Sequence, residues 1–120
     1  MPQILTGEFA QRVFFLPFST DKTEGVYVKP VTMTRRRELQ HESNVEAGMD
    51  ADLAMTYFIK KILQESIIDW IGFQSVEKQE VKYSKEVVAD LCEHDMLMAN
   101  TIFERINTMA RSGELQEQKN

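Results

Sequence analysis

The chain is poor in the residues that build covalent and phosphate-binding sites. Its 120 residues include a single cysteine, Cys92, which excludes an internal disulfide and favours a reducing compartment. The five glycines are isolated from one another, so no glycine-rich phosphate loop is present. No apolar run approaches the roughly 18 residues that a membrane-spanning helix needs. These absences argue against a disulfide scaffold, a phosphate-loop enzyme and a membrane partner.

Positive charge is also scarce. The sequence has 14 lysines and arginines against 19 aspartates and glutamates, which gives a formal net charge of −5. A surface of this sign repels nucleic acid, so no nucleic acid is expected as a partner. The one basic cluster, residues 35–37, is followed by Glu38, Glu42 and Glu46 at spacings that permit ion pairs along a helix. A small nucleic-acid-binding regulator is therefore kept only as an alternative function.

The apolar content of 42% is sufficient for one hydrophobic core. RVFFLPF and VYVKPV are short apolar segments separated by the turn-rich stretch STDKTEG, a pattern typical of a β-hairpin. The prediction is a single domain over residues 1–120, α+β and mainly helical, with the hairpin packed on about four helices. Its parts are an arm (1–11), the hairpin (12–31), the helical part (32–112) and a polar tail (113–120).

The longest helical pattern covers residues 50–72 and predicts one long central helix. Asp50 suits the N-cap of this helix, and Gly72 suits the left-handed residue that commonly ends one. An apolar stripe on one face is expected to meet the core: Met55, Phe58, Ile59, Ile62, Leu63 and Trp70. A weaker stripe on the opposite face is expected to meet either the hairpin or another subunit: Leu53, Tyr57, Ile67, Ile68 and Ile71.

A partner or subunit interface is predicted from this weaker stripe and from the methionines of the last helix. Methionine makes adaptable binding surfaces and also fills irregular cores. Met98 shares the main apolar stripe of its helix, so both interpretations apply to it. The candidate interface residues are Leu53, Tyr57, Ile67, Ile71 and Met98.

No arrangement of side chains indicates catalysis. Residues 92–95, Cys-Glu-His-Asp, are consecutive, whereas ligand pairs on one helix are usually three or four positions apart. His41 has no partner one helical turn away that would make it a general base. The sequence therefore predicts a protein that is not an enzyme, with no catalytic, metal-binding or cofactor-binding residues and no cofactor.

Three stretches occur in a characteristic order. VYVKPVTMTRRREL runs from a strand into a helix, DWIGF ends the long helix at a Trp-Gly boundary, and VKYSKEVVADLCEHDMLMANTIFERI contains two helices with an acidic break. In this order and spacing, which extends over most of residues 12–120, the chain resembles the tail assembly chaperones of phages with long, non-contractile tails. It differs from them at GFQSVEKQE, where members often have a glycine-containing turn.

The resemblance implies a non-catalytic, oligomeric protein that binds the tape measure protein and keeps it soluble while tail tube subunits polymerise around it. It also implies that a frameshifted, C-terminally extended form contacts the tail tube protein. Such a chaperone acts in the host cytoplasm and is absent from the mature virion. A structural tail-completion or connector protein of the virion is the alternative.

Overall fold

The computed structural model describes residues 13–108. Within this range the chain forms, in order, β1 (Phe14–Pro17), β2 (Gly25–Val28), α1 (Met33–Glu46), α2 (Ala51–Ser66), β3 (Ile67–Ile71), α3 (Lys85–His94) and α4 (Met96–Thr108). The strands make an antiparallel sheet in the order β1-β2-β3. The fold is α+β and mainly helical, as the sequence predicted. The predicted arm (1–11) and tail (113–120) lie outside the described residues.

The predicted hairpin is formed by β1 and β2, with Leu16 opposite Val26. In its connecting loop the Ser19 hydroxyl accepts hydrogen bonds from the backbone N–H groups of Thr23 and Glu24, at 3.1 and 3.2 Å. Such side-chain to backbone bonds give loop amides the partners that a regular ladder would otherwise supply. The polar residues between the two apolar segments therefore build the turn.

The central helix is shorter than the sequence predicted. α2 begins after Asp50, whose carboxylate accepts a hydrogen bond from the Leu53 N–H at 3.1 Å, but it ends at Ser66 instead of near Gly72. The following five residues form β3 and pair with β2. At the junction the Ser66 hydroxyl donates to the Lys29 carbonyl oxygen at 2.7 Å. Isoleucine-rich segments suit strands, and a free edge of β2 was available to pair with this one.

Helix α2 supplies the centre of the core. One buried cluster joins it to the inner face of the sheet and to α3 and α4, and a smaller cluster joins it to Leu39 of α1. Met55 of the predicted core stripe is instead 49% exposed and belongs to neither cluster. The other members of that stripe are buried as predicted: Phe58, Ile59, Ile62, Leu63 and Trp70.

The segment after β3 folds back on itself as an arm of residues 73–81. The Val81 N–H donates to the Phe73 carbonyl oxygen at 2.9 Å, which closes the base of this 73–81 arm. The Trp70 indole Nε1 donates to the Val81 carbonyl oxygen at 2.8 Å. The Tyr83 hydroxyl donates to the Ile67 carbonyl oxygen at 2.8 Å, and burial raises the pKa of Tyr83. These bonds fix the 73–81 arm and the residue Tyr83 that follows it against β3.

None of the helices within residues 13–108 combines the length and the hydropathy needed to cross a bilayer.

Replacing Ile67 with Ala should lower the free energy of unfolding by roughly 2–5 kcal/mol, because the side chain is 1% exposed and its loss leaves a cavity. The matched control is Ile68→Ala on the same strand. Ile68 is 39% exposed and lies at the register shift opposite Tyr27 and Val28, so this change should cost less than about 1 kcal/mol. Urea unfolding measures both values. Equal losses would contradict the division of β3 into a buried and an exposed side.

Candidate functional site

An open cleft lies where the sheet, the 73–81 arm, α3 and α4 come together. Its volume is about 590 Å³, within the range of cavities that bind ligands. The polar groups of its lining include Gln74, Thr101 and the charged side chains of Glu24, Asp95 and Arg105. The apolar lining residues of this α3–α4 cleft are Phe18, Trp70, Phe73, Val81, Val87, Leu91 and Met98.

Helix α3 presents one apolar pair to the cleft and another to the core. Its N-cap is Ser84, whose hydroxyl accepts a hydrogen bond from the Val87 N–H at 3.0 Å. Val87 and Leu91, one turn apart, line the cleft and are half-buried. Val88 and Cys92, offset by one position, are buried in the core. Val87 and Leu91 also pack against the edge of this core, and their partly exposed side forms one wall of the cleft.

Helix α4 supplies the neighbouring part of the wall. Asp95 is the only residue between α3 and α4, and its Oδ1 accepts a hydrogen bond from the Met98 N–H at 3.1 Å. Met98, Thr101 and Arg105 follow one another at helical spacing along the cleft. The buried side of the same helix faces the core through Ala99, Ile102 and Ile106.

Aromatic rings form the base of the cleft. The Trp70 ring lies 4.9 Å from the Phe73 ring and 5.7 Å from the Tyr83 ring, measured between centroids. Phe18 stacks on Phe73 at 5.9 Å. Trp70 is 5% exposed and its indole N–H is bonded to Val81, so the ring is held in one orientation. The base of the cleft is therefore aromatic, whereas its wall includes the unbranched side chain of Met98.

The five residues predicted as an interface lie in different places. Met98 lines the cleft, whereas Leu53 and Ile71 are exposed at 40% and 37% on other surfaces and Tyr57 is half-buried on α2. Ile67 is in the core, opposite Val28 of β2, and so presents no surface to another molecule. Of the two contacts predicted for the weaker stripe, Ile67 makes the one with the hairpin, because the strand that replaces the last part of the helix directs this side chain inward. The structure does not bring the five together.

Most of the cleft was not identified from the sequence. The helical pattern of residues 50–72 places Trp70 on a core-facing stripe, and the sequence alone does not separate Val87 and Leu91 from Val88 and Cys92. The available signal was the presence of two apolar pairs, each at i and i+4, offset by one position. Two such pairs make an apolar face broader than the stripe by which a helix usually meets one neighbour. This breadth is the sequence feature that indicates a second contact surface on α3.

In the consecutive run of residues 92–95, Cys92 is buried and the three polar side chains that follow it are exposed. Residues 13–108 contain no cluster of three or more histidine, cysteine or acidic side chains placed to hold a metal ion. Cys92 is 4% exposed, and burial raises the pKa of its thiol to about 11. A cysteine with this pKa is protonated at neutral pH and is a poor nucleophile.

Two of the three clustered arginines have partners within the protein. Arg35 Nε donates to both carboxylate oxygens of Glu65, at 2.9 and 2.8 Å, and this bond lowers the pKa of Glu65. The guanidinium of Arg36 lies 5.6 Å from the ring centroid of Phe58 and 6.0 Å from that of Phe103. The arrangement does not favour the alternative of a nucleic-acid-binding regulator, because these guanidinium groups are used to hold α1 on α2 and α4.

Comparison with protein-family models gives no match to the chain. Comparisons with curated proteins and with solved structures also give no match. The functional interpretation therefore depends on the geometry of the cleft and on the order of the sequence segments.

The Cys92 thiol should react with iodoacetamide at pH 8 roughly 100-fold more slowly in the folded protein than in the urea-unfolded chain. The reason is that its pKa of about 11 lies about two units above that of a free thiol. Mass spectrometry of the alkylated protein over time gives both rates, and the single cysteine makes the assignment unambiguous. Similar rates in the two states would show that the thiol is accessible and ionised in the fold.

Proposed function

We propose that this protein is a phage tail assembly chaperone, which binds helical segments of the tape measure protein in the α3–α4 cleft without catalysing a reaction. The observation that carries the proposal is the open apolar cleft of about 590 Å³ on a small, acidic protein. Covering the apolar stripes of a long helical partner keeps that partner soluble. The bound copies then leave as tail tube subunits polymerise around the tape measure protein.

The lining of the cleft suits a helix. Helices bound in grooves insert apolar anchors spaced at i, i+3 or i+4, and i+7 along one face. Val87 and Leu91 on α3 and Met98 on α4 form a wall against which such anchors can pack. Met98 can adapt its conformation to different anchors, while the fixed Trp70 ring provides a constant base. This combination lets one site accept many segments of a long partner.

The proposal also includes self-association and a second partner. Leu53 and Ile71 are exposed apolar side chains outside the cleft, and they are available for contact between copies of the chain. A frameshifted, C-terminally extended form would contact the tail tube protein. The site of action is the host cytoplasm, and the protein is absent from the mature virion.

Co-expression with the tape measure protein of the same phage should increase the soluble amount of that protein, and Thr101→Tyr should reduce the effect. Thr101 is an exposed residue of the cleft lining, so the added ring occupies space that the partner needs. We expect binding roughly tenfold weaker, equivalent to about 1.4 kcal/mol. The matched control is Asn100→Tyr, because Asn100 is also exposed on α4 but is not part of the cleft lining.

Size-exclusion chromatography and melting temperatures measure complex formation and folding for these variants. A tape measure protein that is equally soluble alone, with no complex surviving chromatography, would refute the chaperone proposal. Equal effects of the two tyrosine variants would place binding outside the cleft. Mass spectrometry of purified particles separates the chaperone, which should be absent, from a tail-completion or connector protein, which should be present.

A further inference from the structure

We propose that the helix bound in the α3–α4 cleft carries a cationic residue beside its apolar stripe, and that Asp95 selects this residue. The inference rests on the proposed binding of a helical segment and adds to it the chemistry of the segment. It is drawn from the distribution of charge around the cleft.

The charged side chains of the described cleft lining are Glu24, Asp95 and Arg105. Arg105 and Glu24 are both close to Phe18: the guanidinium lies 5.2 Å from the Phe18 ring centroid, and the Glu24 carbonyl oxygen accepts from the Phe18 N–H at 2.7 Å. Arg105 also donates to the Pro17 carbonyl oxygen at 2.9 Å. The cation of Arg105 therefore lies near Phe18, whereas Asp95 lies on the separate turn between α3 and α4.

The surroundings of Asp95 reinforce its negative charge. Residues 90–95 contain three carboxylates, on Asp90, Glu93 and Asp95, and no lysine or arginine. The His94 imidazole lies 3.5 Å from the Asp90 carboxylate, which leaves those of Glu93 and Asp95. The C-terminal carbonyl groups of α3 add negative potential at this point, while the N-terminus of α4 offsets part of it. The Asp95 carboxylate accepts one bond from the Met98 N–H and has capacity for further donors. An ammonium or guanidinium group on a bound helix would meet these requirements.

The expected preference follows from ordinary charge pairing. Partly exposed ion pairs contribute about 0.2–1 kcal/mol, which corresponds to an affinity difference of up to roughly fivefold. A glutamate at the same position of the bound helix would be repelled by a similar amount. The difference between a cationic and an anionic helix should therefore be about tenfold and should decrease in salt.

The test uses three synthetic helical peptides with one leucine stripe, which differ only in carrying Lys, Gln or Glu at the positions flanking that stripe. Trp70 is the only tryptophan of the 120 residues and lies at the base of the cleft, so its fluorescence reports binding. We expect the Lys peptide to bind about threefold more tightly than the Gln peptide and about tenfold more tightly than the Glu peptide. The differences should shrink at 1 M salt.

Asp95→Asn assigns the preference to one residue. Asparagine is as good an N-cap as aspartate, so α4 should be retained while the charge is removed. We expect the Lys-to-Glu ratio to fall below about threefold, with a smaller change in the affinity of the Gln peptide. Glu93→Gln is the matched control, because Glu93 is an exposed carboxylate nearby that is not part of the cleft lining. It should change the ratio less than Asp95→Asn does.

Three results would overturn the inference. Equal binding of the three peptides would remove the charge preference and leave the proposed function standing. An unchanged ratio in Asp95→Asn would assign the preference to another group. Absence of any Trp70 response, with no binding by calorimetry, would show that the cleft does not take a helix. Conversely, peptide discrimination together with failure of the co-expression experiment would overturn the tape measure partner alone.

Discussion

β3 adds to the edge of β2 along a register that runs from Gly25 opposite Ile71 to Val28 opposite Ile67. Because the chain enters this strand directly from α2, the helix must end at Ser66, and the strand fixes the position of everything that follows. Gly72 then adopts a φ of +80°, and a Cβ at this residue would lie 2.6 Å from the Thr23 carbonyl oxygen. Only glycine fits this close approach to the hairpin loop without strain.

This strand also creates the base of the cleft. Opposite Val26, Trp70 lies on the buried side of the sheet, where it contacts Phe73 and Tyr83 and holds the arm through the Val81 carbonyl oxygen. If residues 67–71 were helical, the Trp70 indole would lie on α2, and the 73–81 arm would lose its hydrogen bond to that indole. The cleft is thus a consequence of strand pairing as much as of the helices that form its wall.

The distribution of charge complements this apolar site. Exposed apolar surface favours non-specific association, and a net charge of −5 opposes it by repulsion between copies. In the basic cluster of residues 35–37, Arg35 forms an ion pair with Glu65, and Arg36 lies against aromatic rings. The acidic turn at Asp95 is instead directed to the cleft. The negative charge therefore opposes association between copies of a chain that carries an open apolar groove.

The sequence by itself determined the elements whose signals are local. Turn residues marked the hairpin, and Asp50 marked the start of α2, where it accepts the expected backbone hydrogen bond. Thr32 and Ser84 accept the equivalent bonds at the starts of α1 and α3. Tertiary structure decided where α2 ends and which apolar residues remain partly exposed in the cleft. Residues 67–71 satisfy both a helical stripe and a strand, so the choice depended on pairing with β2, some 40 positions earlier in the chain. Val87 and Val88 are likewise adjacent residues of one apolar face. Val87 lines the cleft and Val88 is fully buried, and this difference depends on which elements pack against α3.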